Sequence, residues 1–374
     1  MRFIHLADVH LGAVPDRGYP WSARREEEIW ESFRRLIAAL CDDPADFLLI
    51  SGDLFHRQPL LKELKETASL FEQIPSTRVY LMAGNHDYLK KDSLYRHFRW
   101  PSNVFFFPGE TPRRVRDPYL PVYIYGLSYE HQEIPQNLYE GLYPWEEEDE
   151  DQDGEAYHIL MAHGGDAEHI PLRAEDLVDE GFDYVALGHI HKPQILIKDR
   201  AAYCGALEPI DRGDTGMHGF IEGWTDHGRL LTRFRPFACR SYEKLTVQVT
   251  PQDNRITLED KVKEAIHTAG AGNIYQIFLE GERASEQVFL AERLRRLGNV
   301  LEVHDHTRIS LDLEELYHSS HGTIIGDYIA LFYPEMAEGK TRPEQKLDSV
   351  QEKALYYGLQ ALLETSAGYK KEET

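Results

Sequence analysis

Five times within its first 191 residues the chain passes through a short, mostly apolar run and stops on aspartate, asparagine or histidine. The runs are "FIHLADVH" (3–10), "FLLISGDLFH" (47–56), "VYLMAGNHD" (79–87), "ILMAH" (159–163) and "YVALGHIH" (184–191). Apolar runs this short read as strands buried on both faces. Helical patterns separate the early ones, which implies an α/β fold whose parallel strands are joined by helices. In such sheets, ligands gather beyond the carboxyl ends of the strands. The five endings carry Asp8, His10, Asp53, His56, Asn85, His86, Asp87, His163, His189 and His191, and are expected to converge in one cleft.

Between the first two strands, "SARREEEIWESFRRLIAALCD" repeats Ile29, Phe33, Leu36, Ile37 and Leu40 at helical spacing, with Ser22 as the expected N-cap. A second helix is expected over 62–73. From Tyr242 the pattern changes: "YEKLTVQV", "TLEDKVKEAIHTAG", "IYQIFLE", "SEQVFLAERLRRLG" and "NVLEVHDH" alternate strand and helix as a β-α-β-α-β unit. "AEGKTRPEQ" reads as a polar linker. The last helix, "KLDSVQEKALYYGLQALLE", sets Leu347, Val350, Ala354, Gly358, Ala361 and Leu362 on one face. The expected division is a main domain over 1–240, a small α/β domain over 241–310, a helical extension over 311–336, a linker over 337–345 and a terminal helix over 346–366.

The formal net charge of −23 argues against a chain that grips nucleic acid unaided. Acid is densest at 145–155, eight residues in eleven, which reads as a solvated loop without the spacing of a calcium-binding hand. Cys41, Cys204 and Cys239 are scattered and form no paired motif, as in reducing compartments. The opening "MRFIHLADVHLG" lacks the apolar core of a signal peptide, and no run approaches the roughly 18–20 apolar residues of a membrane span. A soluble, cytoplasmic protein without a membrane partner is expected.

Aspartate, histidine and asparagine without cysteine suit Mn²⁺, Fe²⁺ or Zn²⁺ in a catalytic site. Seven candidate ligands, Asp8, His10, Asp53, Asn85, His163, His189 and His191, exceed what one catalytic ion takes from protein; two ions sharing a carboxylate would use them all. A lone D-x-H or H-x-H is more often an ordinary surface or core pairing, and "GNHD" alone could be a turn. All of them in order at strand ends favour metal chemistry.

D-x-H, G-D, G-N-H-D, H and G-H-x-H in this order resemble the calcineurin-like metallophosphoesterase superfamily over about residues 1–235. The resemblance implies a four-layer sandwich, two mixed sheets packed face to face and flanked by helices. "MRFIHLADVHLG", "GDLFH", "GHIHKP" and the terminal helix are similar, more narrowly, to SbcD-type DNA-repair exonucleases and their YhaO-like bacterial subfamily. By that resemblance, Asp8, His10, Asp53 and His191 hold one divalent ion and Asp53, Asn85, His163 and His189 the other, most often Mn²⁺. His86 would protonate the leaving oxygen or stabilise the transition state with Asp87 orienting it, and His56 would serve exonuclease action. The implied function is two-metal hydrolysis of DNA phosphodiester bonds in repair, exonucleolytic and also endonucleolytic on single strands. The small α/β domain would cap the duplex. The implied partners are a DNA substrate, an SMC-like ATPase (SbcC-type or YhaN-like) seated on the terminal helix, and a second copy meeting nuclease-domain helices near Trp30 and Phe33. A small-substrate phosphatase or cyclic-nucleotide phosphodiesterase of the same superfamily is the alternative. Arg57 could contact phosphate or form only a salt bridge. The glycine-rich stretch 205–219 is expected on the site rim with no assignable residue. His5, His97, His158, His169, His218, His304, His306 and His321 are read as structural or surface residues.

Overall fold

The computed structural model describes residues 1–144, 156–284, 287–337 and 347–369. The acidic stretch 145–155 and nearly all of the expected linker lie outside the described residues. Two compact units result: Met1–Glu243 with Gly272–Ile274, and Lys244–Ala271 with the chain from Tyr275 onward.

The first unit holds two six-stranded sheets. One contains β1 (Arg2–Leu6), β2 (Phe47–Ser51), β3 (Arg78–Met82) and β4 (Val104–Phe106). The other contains β5 (Arg113–Arg116), β6 (Val122–Gly126), β7 (Tyr157–His163), β8 (Tyr184–Gly188), β9 (Gln194–Ile197) and β10 (Ala201–Tyr203), in the order β5-β6-β7-β8-β10-β9. The chain then returns to the first sheet with β11 (Gly219–Asp226) and β12 (Arg229–Pro236), giving β12-β11-β1-β2-β3-β4. β1 to β4 run parallel, and so do β6, β7, β8 and β10; β11, β12, β5 and β9 pair antiparallel. Both sheets are therefore mixed.

The alternation of side chains across each strand explains the layers. Phe47 and Leu49 of β2 pack inward with Phe3, Tyr80, Ile159, Met161 and Ala186, a core drawn from both sheets. Leu48 and Ile50 point outward against Ile29, Phe33, Leu36, Ile37 and Leu40 of helix α1 (Ser22–Asp42). Helix α2 (Leu61–Glu72) adds Leu64 and Phe71 to that outer layer. Short α3 (Leu94–His97) follows, and α4 (Ala174–Asp179) covers the other sheet through Leu177.

Two expectations about α1 are corrected. Ser22 is its first helical residue rather than its cap, because its hydroxyl donates to the Pro15 carbonyl at 2.7 Å. Trp30 and Phe33 are buried in the core between α1 and the first sheet, so neither is free to contact a second copy.

The second unit is built on β13 (Tyr242–Val249), β14 (Ile274–Arg283), β15 (Val300–Asp305) and the two-residue β16 (Arg308–Ile309), with β14 between β13 and β15. Helix α5 (Arg255–Ala269) is capped by Asn254, whose side chain accepts from Ile256 N and Thr257 N, while Thr257 Oγ1 accepts from Asn254 N. Among the described residues, the expected helix over 285–298 is shorter, reduced to α6 (Ala291–Leu294) and a 3₁₀ turn at Arg295–Leu297. Gln287 bonds to Ala284 N and the Pro251 carbonyl, and this ties the approach segment down outside the helix. Helices α7 (Leu313–Ser319), α8 (Ile324–Phe332), α9 (Pro334–Ala337) and α10 (Ser349–Tyr369) share a small core of Tyr317, Ile329, Met336, Leu355 and Leu359. The buried stripe of α10 is thus Leu355 and Leu359; Val350, Ala354 and Ala361 of the expected face are exposed. No helix among the described residues is long and apolar enough to cross a membrane.

Candidate metal centre

The strand ends are joined before any side chain is considered. Beyond β1 and β2 the two chains stay zipped: Asp8 N donates to Gly52 O, His10 N to Asp53 O, Leu11 N to Leu54 O, and His56 N to Leu11 O, all at 2.9–3.1 Å. Asp8, His10 and Asp53 all adopt φ near +50°, and His189 adopts +96°. Such left-handed backbone costs on the order of 1–3 kcal/mol per non-glycine residue and persists where the surroundings impose it. Gly84 is demanded by close approach, since a Cβ there would lie 2.2 Å from Asp53 Oδ1. At Gly52, with φ of +89°, a Cβ would meet the His163 ring at 2.3 Å.

His163 links the sheets. Its Nδ1–H donates to the Ser51 carbonyl at 2.8 Å, which leaves Nε2 facing inward. That Nε2 lies 2.9 Å from Asn85 Oδ1 and 3.5 Å from Asp53 Oδ2. His189 Nδ1 approaches the same Asn85 oxygen at 3.3 Å. On the other side, His10 Nε2 and His191 Nε2 face each other at 3.0 Å, with His10 Nε2 3.8 Å from Asp53 Oδ2. Asp8, His10 and His191 each offer a donor within 4.8 Å of the others, and so do Asp8, Asp53 and His163. Asp53 sits between the two groups, its Oδ1 accepting the His86 amide at 2.9 Å.

The residues fit divalent cations. A nitrogen lone pair opposite another nitrogen or an oxygen is repulsive unless a proton or cation lies between them. Ions holding imidazole and carboxylate at about 2.0–2.2 Å set neighbouring donors roughly 3–3.5 Å apart, the spacing found here. The electrostatics agree. Burial disfavours charge on His163, yet Asp53 and Asp8 outweigh it and push the imidazole up to about 9. Burial likewise opposes charge on His191, while Asp214 and Asp8 raise it to about 9. Against its own burial, Asp53 is held far below the ordinary carboxylate range by His163, His10 and His86. Asp8 and Asp87 move the other way, raised by burial and by the Asp53 charge. The pocket is a set of buried carboxylates calling for positive charge.

Residues 1–193 match the calcineurin-like phosphoesterase family. The chain belongs to that family. The uncharacterized metallophosphoesterase YhaO of Bacillus subtilis is 30% identical over 290 residues, 71% of this chain and 67% of that protein. The DNA double-strand break repair protein Mre11 of Methanocaldococcus jannaschii is 32% identical over 227 residues, 57% of this chain and 58% of its own. Its namesake in Haloferax volcanii is 29% identical over 257 residues, 63% and 53%. The chain thus spans between about half and two thirds of the length of these relatives.

Within this calcineurin-like phosphoesterase, the structure brings all ten expected side chains to the strand ends, but not all in the expected relations. Asp87 does not orient the His86 ring. Its carboxylate is fully buried and accepts from Gly84 N at 2.8 Å and Phe55 N at 3.1 Å, so it pins the β2 and β3 loops together. The His86 ring instead bonds through Nδ1 to the His56 carbonyl at 3.1 Å and stacks on the His56 ring at 5.1 Å. His56 Nδ1 lies 3.3 Å from His10 Nδ1. Arg57 is occupied, donating twice to Glu63 at 2.7 and 2.9 Å. Two carboxylates escaped the sequence reading. Asp166 contacts His189, and Asp214, inside the glycine-rich stretch, contacts His191. His169, read as structural or surface, lies tilted against the His189 ring at 4.5 Å between centroids and bonds to Asp166 at 2.9 Å. A carboxylate following a strand-end histidine was the only available signal, and nothing local told these from ordinary loop acids.

Proposed function

We propose that this phosphoesterase is a two-cation DNA nuclease acting in repair. Asp8, His10, Asp53 and His191 would hold one divalent ion and Asp53, Asn85, His163 and His189 the other, most simply Mn²⁺. Such ions, when bound, activate water for in-line attack and screen the charge of a phosphodiester. The chain's own part is positional. Asp53 is fixed through its amide partner at His86, and Asp87 locks the loops that carry both. His86 faces the cluster with Nδ1 occupied, so Nε2 is the ring nitrogen left to pass a proton to the leaving oxygen. His56, stacked on it, holds that ring and steers the strand end, in keeping with exonuclease action. The observation that carries the reading is Asp53 set between two inward-facing groups of nitrogen and oxygen donors drawn from both sheets.

DNA as substrate is supported by the Mre11 relatives. Single-strand endonuclease action, a capping role for the second unit and an SMC-like ATPase belong to the same reading. So do a homodimer using surfaces other than Trp30 and Phe33, and a cytoplasmic setting. Exposed Val350 and Tyr357 on α10 leave a face for the ATPase. The net charge of −23 favours the second reading, a phosphatase or cyclic-nucleotide phosphodiesterase for small esters. Purified protein with Mn²⁺ is offered a labelled DNA duplex or bis-p-nitrophenyl phosphate, with and without an SMC-like ATPase. Degradation of the duplex is expected. Cleavage of the small ester with DNA left intact in both conditions overturns the nuclease reading in favour of the second.

A further inference from the structure

The two histidines of "GHIH" turn opposite nitrogens toward the cluster. His189 presents Nδ1, 3.3 Å from Asn85 Oδ1, and sends Nε2 outward to Asp166 Oδ2 at 2.7 Å. His191 presents Nε2, 3.0 Å from His10 Nε2, and sends Nδ1 outward to Asp214 Oδ2 at 3.2 Å. An ionised carboxylate can only accept, so each acid selects the tautomer whose hydrogen points away from the cluster. We infer that Asp166 and Asp214 are positioning residues that keep the outward N–H of His189 and His191 on opposite ring nitrogens, so that Nδ1 of one and Nε2 of the other are the nitrogens reserved for a cation. The inference rests on the two-cation reading above.

Both acids are themselves held. Asp166 Oδ1 accepts from Glu168 N at 2.9 Å, His169 N at 2.8 Å and His169 Nδ1 at 2.9 Å, while Oδ2 takes His189 at 2.7 Å and shares His169 Nδ1 at 3.0 Å. Asp214 Oδ2 also accepts from Ile210 N and Asp211 N at 3.1 Å. Neither acid reaches the cluster centre, and neither belongs to the strand-end motifs. Their effect passes through the rings: a histidine free to flip or to take the other tautomer would turn an N–H toward the cation. Carboxylates placed behind ligating histidines in this way are typically worth 10–100-fold in metal affinity.

The test compares the full-length chain with Asp166→Ala, Asp166→Asn, Asp214→Ala and Asp214→Asn. Mn²⁺ titration calorimetry measures uptake, ¹⁵N spectra of the metal-free chain report the His189 tautomer, and circular dichroism follows folding. Each alanine variant should weaken one Mn²⁺ binding event about 10–100-fold and leave the other nearly unchanged. Asp214→Asn, whose single amide oxygen can replace the one accepting oxygen, should stay within about threefold of the parent, whereas Asp166→Asn, whose one oxygen cannot serve both the loop amides and His189, should weaken binding as Asp166→Ala does. In the parent, His189 should carry its proton on Nε2, and Asp166→Ala should mix the tautomers. Asp214→Ala also loosens the loop at Ile210, so the decisive variant is Asp166→Ala, at a half-exposed site. An unchanged His189 tautomer in Asp166→Ala overturns the inference whatever the Mn²⁺ result. A parent that binds no Mn²⁺ but keeps the Nε2 proton, losing it in Asp166→Ala, supports the positioning role and rejects the two-cation reading instead.

Discussion

Four residues at the strand ends of the first unit, Asp8, His10, Asp53 and His189, sit on left-handed backbone; among the described residues of the second unit no non-glycine residue does. The contrast extends to side chains. The first unit buries Asp8, His10, Asp53, Asp87 and His163 together, at a desolvation cost that neighbouring charges outweigh at Asp53 and His163 but not at Asp8, His10 and Asp87. The second unit follows local rules: an Asn254 cap with a reciprocal Thr257 bond, and an apolar core of Val247, Leu258, Val262, Ile277 and Leu279. Four of the eight left-handed non-glycine residues among the described residues meet the buried charges at these strand ends, and strain joined to buried charge marks where a fold is shaped for something other than stability.

The sharpest way to break the contrast is Asp53→Ala. It removes the carboxylate shared by both donor groups and should cut bis-p-nitrophenyl phosphate turnover about 10³-fold, with Mn²⁺ uptake lost in calorimetry. His86→Ala should lower kcat about 10²–10³-fold while metal content, read by elemental analysis, stays at two ions per chain. Unchanged turnover would remove His86 as proton donor. In the second unit the same boldness should touch only stability. Ile277→Ala, in the core beside α5, should cost about 2–4 kcal/mol in urea unfolding and leave the small-ester kcat unaltered. The smallest effect concerns a charge cluster of the first unit remote from the centre. Burial works against ionised Glu222, but hydrogen bonds from Arg233, Arg2 and Arg235 at 2.8–3.0 Å hold it down to about 2. Its folded value lies below its unfolded one, so its contribution is complete above about pH 4.5 and fades as pH falls toward 2. Glu222→Gln should therefore cost about 1 kcal/mol at pH 7 and nothing measurable near pH 2, as followed by thermal unfolding.

The strand ends were legible because a buried strand announces itself by composition, and because aspartate, asparagine and histidine directly after one are conspicuous. The helices α1, α2 and α5 were legible from periodicity. Long-range pairings were not. β11 and β12 join the first sheet beside β1, across more than two hundred residues, and no local pattern records that return. Trp30 looked like a surface anchor because periodicity gives a face but not what covers it. On α10 the buried stripe fell on Leu355 and Leu359, beside the expected one, since the packing of α8 decides which residues are covered. Asp87 was misread for a related reason. The family resemblance implied a side-chain pair with His86, while the two backbone amides waiting for its carboxylate belong to loops 32 and three residues away. Asp166 and Asp214 were hidden by the same distance between neighbours in space and neighbours in sequence.

The bond from His163 to the Ser51 carbonyl seams together halves made at different times. During synthesis, everything from Asp8 to Asp87 leaves the ribosome long before His163, His189 and His191 follow. Until then the emerging chain carries a cluster of acids with half its partners missing. A product ending before residue 163 therefore lacks the bond that fastens the end of β7 to the end of β2, and the early acids wait for a late histidine.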